Sequence, residues 1–488
     1  MNDSLAILSP SPFAPDNLMA LRIAQSALAR DGTHTGRAEL RRWFAECART
    51  APMQVDVLPL DGLTGWRTDP DTGNISHDSG KFFTVEGLRV RISDGAVPQW
   101  DQPIINQPEV GLLGILVKEF EGVLHCLMQA KAEPGNCNGI QLSPTVQATR
   151  SNYTQVHHGR PVPYLKHFLT AGRHRIVADV RQSEQGSWFN RKRNRNIILE
   201  VEEDIPLLEG FRWLTLGQVH QLLAVDDLVN MDTRTVLSCL PFAGADLLAA
   251  FGSWARDFHG SLIRSYSEDA HSLHGMDEIR SWITEARIRI DVCTSPVPVD
   301  GLRLWRRTGE RISHESGLFF DVIGVGVRAC GREVAEWHQP MIAPIGIGLA
   351  ALLVTRVDGV LHVLMHARVE PGYVDVIELG PTVQCAPDNY AWLPDAARPR
   401  FLQHVLKADP DRVLFETTLS EEGGRFYHAR NRYVVVEVDV DPDLETPDFR
   451  WMTLCQLVEL LRHSYYLNVQ ARTLVACLYS LSVARSAL

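Results

Sequence analysis

Residues 141–153 read QLSPTVQATRSNY and residues 378–390 read ELGPTVQCAPDNY, an offset of 378 − 141 = 237. The same offset carries ISHDSGKFF at Ile75 onto ISHESGLFF at Ile312, and WDQP at Trp100 onto WHQP at Trp337. It also carries HCLMQAKAEPG at His125 onto HVLMHARVEPG at His362, and QSEQGSWF at Gln182 onto LSEEGGRF at Leu419. Between Glu121–Tyr153 and Asp358–Tyr390, 18 of 33 positions are identical, more than shared hydrophobic patterning produces. One inserted residue later, FRWLTLGQ and FRWMTLCQ continue the match. The chain is a tandem duplication. A period of 237 residues is too long for a solenoid unit, so each copy is expected to be a module with its own core. The expected modules are residues 1–254, with an N-terminal helical segment, and 255–488, joined between Trp254 and Asp277.

Composition narrows the classes. The 488 residues are 45% hydrophobic and 22% charged, ordinary globular material for more than one domain. The start, MNDSLAILSPSPFAPD, has no basic stretch followed by an apolar run, and no segment approaches the roughly 20 apolar residues that cross a bilayer. A cytoplasmic protein without a membrane partner is expected. Nine cysteines, an odd number without a CxxC pair, argue against a disulfide framework and a structural zinc site. The net charge of −11 argues against nucleic acid as a partner. Only RKRNR, Arg191–Arg195, is locally basic.

Each module reads as mixed α/β. VGLLGILVKEFEGVLHCLMQAK looks like two strands joined at Glu121-Gly122, and Asp358-Gly359 repeats the signal. RNIILEVEE and RYVVVEVDV are also strand-like, whereas PYLKHFLTA, TLGQVHQLLA and TRTVLSCL carry apolar residues at helical spacing. Strands and helices do not alternate regularly, which favours α+β over a doubly wound sheet.

The blocks EPGNCNGIQLSPTVQATRSNY with QSEQGSWF, and EPGYVDVIELGPTVQCAPDNY with LSEEGGRFYHARNRY, resemble the NDP-hexose 2,3-dehydratases from about Leu40 to Leu478. The resemblance implies a tandem duplication of two Nudix-like modules, a homodimer, and a dTDP-sugar pocket in each module. It also implies a dTDP-linked 4-keto-6-deoxyhexose substrate and a 3-ketoreductase acting next, in deoxysugar biosynthesis. The Nudix likeness is one of fold. The turns read LSPTVQ and LGPTVQ, and the following helices PYLKHFLTA and PRFLQHVLKA lack the glutamate cluster that holds metal in a hydrolase. GREVAEW at Gly331 mimics part of that signature but has Trp337 where a glutamate is needed. GIGLAA at Gly346 leads into a strand rather than a helix, so it is a weak dinucleotide signal.

Dehydration beside a C4 ketone needs no cofactor. A base removes the acidic C3 proton and the enolate expels the C2 hydroxyl, so the site needs a base, a donor to the enolate oxygen and a proton source. At paired positions the first copy has Gln129, Gln141, Asn190 and Arg191, and the second has His366, Glu378, Tyr427 and His428. The second set can exchange protons, so Glu378 or His366 is the expected base, with Tyr427 or His428 assisting. Expected substrate contacts in the first copy are Trp66, Lys131, Thr149, Arg150, Ser151, Asn152, Tyr153, Ser187 and Arg195. Those in the second are Trp305, Arg368, Asp388, Asn389, Tyr390, Arg425, Phe426 and Arg432. Other readings are a metal-dependent nucleotide-sugar hydrolase and a non-catalytic nucleotide-sugar-binding protein.

Overall fold

The computed structural model describes residues 15–482 except 94, 155–159, 245–256 and 331–333. The boundary residue Trp254 and residues 331–333 of the GREVAEW fragment thus lie outside the described residues. The architecture is mixed α/β in two repeated halves. Each half carries a seven-stranded sheet. In the first, the order is Arg175–Ser183, Arg193–Glu200, Gly111–Phe120, Val123–Ala132, Phe211–Thr215, with Ile140–Ser143 and Val146–Ala148 pairing at the side. Arg193–Glu200 runs parallel to Gly111–Phe120 and the other pairs are antiparallel. The second half repeats this order.

Local chemistry explains the elements read from sequence. Glu121 and Gly122 both take positive φ, 50° and 79°, which is the two-residue turn whose twist suits a hairpin. Asp358 and Gly359 do the same. TLGQ and TLCQ are capping boxes: Thr215 and Thr453 accept from the backbone of Gln218 and Gln456, opening the helices Leu216–Leu223 and Leu454–Leu461. GIGLAA leads into the strand Gly348–Val357, with Gly346 in the turn before it.

The two smaller, five-stranded sheets trade a strand. Met53–Leu58, from the first copy, pairs antiparallel with Phe320–Ala329 of the second, Met53 opposite Ala329. Val292–Val297, from the second copy, pairs with Thr84–Ile92 of the first, Val292 opposite Ile92. Both exchanged strands are edge strands, which is why Pro296 is tolerated within one of them. The copies also share interior: the largest apolar cluster contains Leu142 and Val236 of the first copy and Leu379 and Leu474 of the second. Two buried arginines brace this seam in mirror fashion. Arg234 donates to the Ser420 carbonyl and Arg472 to the Ser183 carbonyl, each at 2.6 Å.

Candidate active site

The EPG turns carry one copy's loop into the other's territory. The Gly135 N–H donates to the Gly423 carbonyl at 2.7 Å and its carbonyl accepts from His428 N–H at 3.0 Å. A Cβ on Gly135 would lie 1.7 Å from the Phe426 carbonyl oxygen, so only glycine permits this approach. Gly372 does the same against Phe189, also at 1.7 Å. The loop holding Glu422 and Arg425 is thereby pressed against the first copy's sheet.

Between them lies a cavity of about 330 Å³. Its floor is Gly111, Leu113, Lys131, Gln147 and Asn194 from the first seven-stranded sheet, with Asp232 from the helix Met231–Leu237. Part of its lining is aromatic: Trp66, His77, Phe82, Phe83 and Trp337, with the Arg425 guanidinium 4.4 Å from the Phe83 ring centre. Another part is ionic: Lys131, Lys192, Glu133, Glu184, Asp232 and Glu422. Several buried polar atoms here have no partner in the protein, namely Glu184 Oε2, Glu422 Oε2, Asp232 Oδ1, Gln107 Nε2 and Arg425 Nε. Buried polar atoms are nearly always paired, so this convergence marks a ligand's place.

Burial sets the protonation states. It pushes the Glu184 and Glu422 carboxyls upward, the positive Arg472 and Lys192 opposing it at Glu184 and the negative Glu133 adding to it at Glu422. The Asp232 carboxyl is raised by burial and by Glu184, Glu422 and Glu133. Burial lowers the Lys192 ammonium, whose Nζ donates to the Glu109 carbonyl at 2.6 Å. Such groups exchange protons near neutral pH.

The corresponding positions in the other half carry different residues. Trp188 stands where Arg425 does, packed edge-on against Phe426 at 4.6 Å. Tyr373 replaces Asn136, and its hydroxyl accepts from Asn468 Nδ2 at 3.1 Å. Gln185, Ala429 and Gln470 replace Glu422, Lys192 and Asp232. The two copies thus differ at the positions equivalent to this cavity's charged residues.

Of the expected contacts, Trp66, Lys131, Thr149, Asn152 and Arg425 line the cavity. The remainder are elsewhere. Glu378 is fully buried, its Oε2 accepting from Ser183 Oγ at 2.5 Å. His366 stacks on Phe449 at 4.4 Å, and burial pushes its imidazole down to about 3, too weak for the expected base. Tyr427 and His428 stack on each other at 4.0 Å, outside the cavity lining. The second copy's supposed proton-transfer set is therefore not assembled around a common space. Arg150 is exposed, Ser151 donates to Glu109, and the Ser187 N–H donates to Glu370. Arg195 and Arg432 are held by Asp179 and Glu416, and Arg368 by Glu370. Trp305 Nε1 donates to the Asp101 carbonyl, Asn389 accepts from the Phe319 N–H, and Asp388 lies beside Gly346. Tyr390 and Phe426 pack in apolar clusters. The side chain of Tyr153 lies outside the described residues.

Sequence comparison of the copies misses Glu133 and Glu184 because Glu370 and Glu421 repeat them, and a search for differences is blind to them. It misses Glu422 because that loop serves the other copy's cavity. Lys192 against Ala429 was the available signal. Among the described residues, a His167, His174, Glu203 trio brings its donor atoms within 4.8 Å of one another, as a metal site requires, but none of the three lines the cavity.

An aromatic lining that can stack a base, an arginine beside it and a cluster of acids and amines define an acid–base enzyme for an anionic, base-bearing ligand. The sequence profile of the NDP-hexose 2,3-dehydratases matches residues 37–240 and 276–478, and the chain belongs to that family. A dTDP-4-dehydro-6-deoxy-alpha-D-glucopyranose 2,3-dehydratase of Saccharopolyspora spinosa is 52% identical over 461 residues, covering 94% of this chain and 95% of the relative. Proteins of the same name from Amycolatopsis orientalis and Streptomyces violaceoruber are 45% and 48% identical, covering 94% and 92% of this chain and 93% and 98% of their own lengths.

Proposed function

We propose that the chain removes water across C2 and C3 of dTDP-4-keto-6-deoxy-D-glucose, giving the 3,4-diketo-2,6-dideoxy sugar nucleotide, in the cavity of the first copy. The observation that carries this reading is the set of unpartnered polar atoms converging there, Glu184 Oε2, Glu422 Oε2, Asp232 Oδ1, Gln107 Nε2 and Arg425 Nε. In this reading the thymine lies against Trp66 and Phe83, Arg425 meets the diphosphate, and the hexose reaches the acids and Lys192. Lys192 is placed to donate to the oxygen that becomes negative at C4 when the C3 proton leaves. Each half is taken to be a Nudix-like module, supported by its mixed sheet with helices packed against it. The working unit is taken to be a cytoplasmic homodimer whose product passes to a 3-ketoreductase; no helix among the described residues is long and apolar enough to cross a membrane.

The test uses chelator-treated protein, the 4-keto sugar nucleotide and mass spectrometry. Loss of one water with the nucleotide still attached is expected. Free nucleotide would indicate a hydrolase, and unchanged substrate a binding protein. To locate the site, Leu113→Trp fills the cavity and is expected to abolish turnover in a folded protein.

A further inference from the structure

The two halves place different partners against equivalent glutamates. In the second half Glu421 is fully satisfied: Asn431 Nδ2 and the Tyr433 hydroxyl donate to Oε1 at 2.8 and 2.7 Å, and the Gln185 amide donates to Oε2. In the first half Glu184 keeps only the asparagine, Asn194 Nδ2 donating to Oε1 at 2.5 Å. Asn196 stands where Tyr433 does, and Glu422 stands where the donating amide of Gln185 does. A carboxyl group thus stands at the sequence position of an amide, in the same cavity lining as another carboxyl whose charge acts on it. Glu422 Oε1 accepts from the Gly424 N–H at 2.9 Å, and its Oε2, like that of Glu184, has no partner. Both side chains line the cavity; Glu184 is buried and Glu422 is half-buried.

We propose that Glu184 and Glu422 work as a carboxylate pair holding one proton between them, Glu184 as the base that takes the C3 proton and Glu422 as the acid that releases the C2 oxygen as water. This rests on the first-copy cavity being the site of dehydration. Two ionised carboxylates sharing one cavity lining repel, so one keeps its proton. The surrounding charges decide which. Glu184 has the Asn194 amide, Lys192 and the guanidinium of Arg472 on its side. Glu422 has Glu133 against it and Arg425 alone as a cation; Asp232 stands near both carboxyls, and Glu421 opposes the two cations at Glu184. Glu184 is therefore the ionised member. Raised carboxyls also explain how a cavity with more acids than bases admits a diphosphate.

The step balances. The C3–H bond breaks, its proton goes to Glu184, and its electron pair forms the C4 enolate. The enolate then re-forms the C4 carbonyl, a C2=C3 double bond is made, and the C2–O bond breaks as Glu422 delivers its proton to the departing hydroxyl. The pair ends with one proton, now on Glu184. The enol product becomes the 3-ketone by moving its hydroxyl proton to C2.

Glu422→Gln restores the amide of the second half and removes the acid while sparing the base. It is expected to lower kcat by ~10²–10⁴-fold, leave dTDP binding within about threefold, and still exchange the C3 hydrogen of unreacted substrate for deuterium in D2O. Glu184→Gln is expected to lose both elimination and exchange. Glu422→Asp, which keeps a carboxyl, is expected to recover part of the turnover. Turnover by Glu422→Gln or Glu184→Gln within about threefold of the parent would overturn the pair, as would C3 exchange that survives in Glu184→Gln. If Leu113→Trp also turns over normally, the fault lies with the choice of cavity. If Leu113→Trp is inactive while both glutamine variants work, the fault lies with the pair alone.

Discussion

Glu378 accepts a hydrogen bond from Ser183 Oγ at 2.5 Å, and its counterpart Gln141 accepts one from Ser420 Oγ at 2.8 Å. The two residues do the same job on opposite sides of the seam between copies, one as a carboxyl and one as an amide. Burial pushes the Glu378 carboxyl up from 4.5 to about 8, against the opposing Ser183 hydrogen bond and Arg472. It is therefore neutral in the folded protein at pH 7, an imitation of glutamine. Its folded value is above its unfolded one, so its contribution is fully present below pH 4.5 and declines as pH rises toward about 8. Glu378→Gln is expected to keep turnover within about threefold and to remove that part of the pH slope. Urea midpoints of parent and variant at pH 5 and pH 8 measure it; a variant that loses stability as steeply as the parent contradicts the assignment.

His366 gives the opposite slope. Its imidazole is depressed from 6.5 to about 3 by burial, with the Arg368 charge adding to the effect. The unfolded chain takes up that proton first, so the contribution is present above pH 6.5 and is lost as pH falls toward 3. His366→Gln is expected to cost about 0.5–1.5 kcal/mol through the lost stack on Phe449, to flatten the acid limb of stability, and to leave kcat unchanged. Calorimetric melts at pH 4 and pH 7, beside a turnover assay, check all three.

Lys192→Ala copies Ala429, its counterpart in the other half. Losing a donor at the developing enolate oxygen is expected to lower kcat by on the order of 10²–10³-fold with KM little changed. A variant that instead raises KM at constant kcat would assign Lys192 to ground-state binding of the diphosphate.

Arg425→Trp copies Trp188. A hydrogen bond to a charged group contributes about 1.5–3 kcal/mol, so dTDP affinity is expected to fall by roughly 10–100-fold, with added loss from the ring's bulk. Titration calorimetry with dTDP reads it directly. Affinity equal to the parent's would separate Arg425 from nucleotide binding.

Much of the framework was legible in the residues. The duplication, the hairpins at Glu121-Gly122 and Asp358-Gly359, and the helices opened by TLGQ and TLCQ all depend on contacts a few residues apart. Trp66, Lys131, Thr149, Asn152 and Arg425, expected as substrate contacts, line the cavity. The set of residues that lines the cavity was not fully legible for a geometric reason. MQVDVL and VCTSPV read as strands whichever sheet they join, and nothing local says that they cross over. Neither does the EPG turn announce that it receives the opposite copy's loop. Comparing the copies at paired positions therefore selected Glu378 and His366, neither of which lines the cavity.

The strand trade also bears on ancestry and on engineering. Cut at the repeat boundary, each half would keep the arm that belongs to its twin and bare the long edge of Thr84–Ile92 or Phe320–Ala329, a ready surface for aggregation. Two such halves satisfy each other when they meet, as in an arm-exchanged dimer of identical chains. Fusing the two genes of such a dimer would give a single polypeptide with this strand exchange. Once both arms are covalently tethered, the partners no longer need to be the same, and one half is free to change its residues while still lending Glu422 and Arg425 to the other.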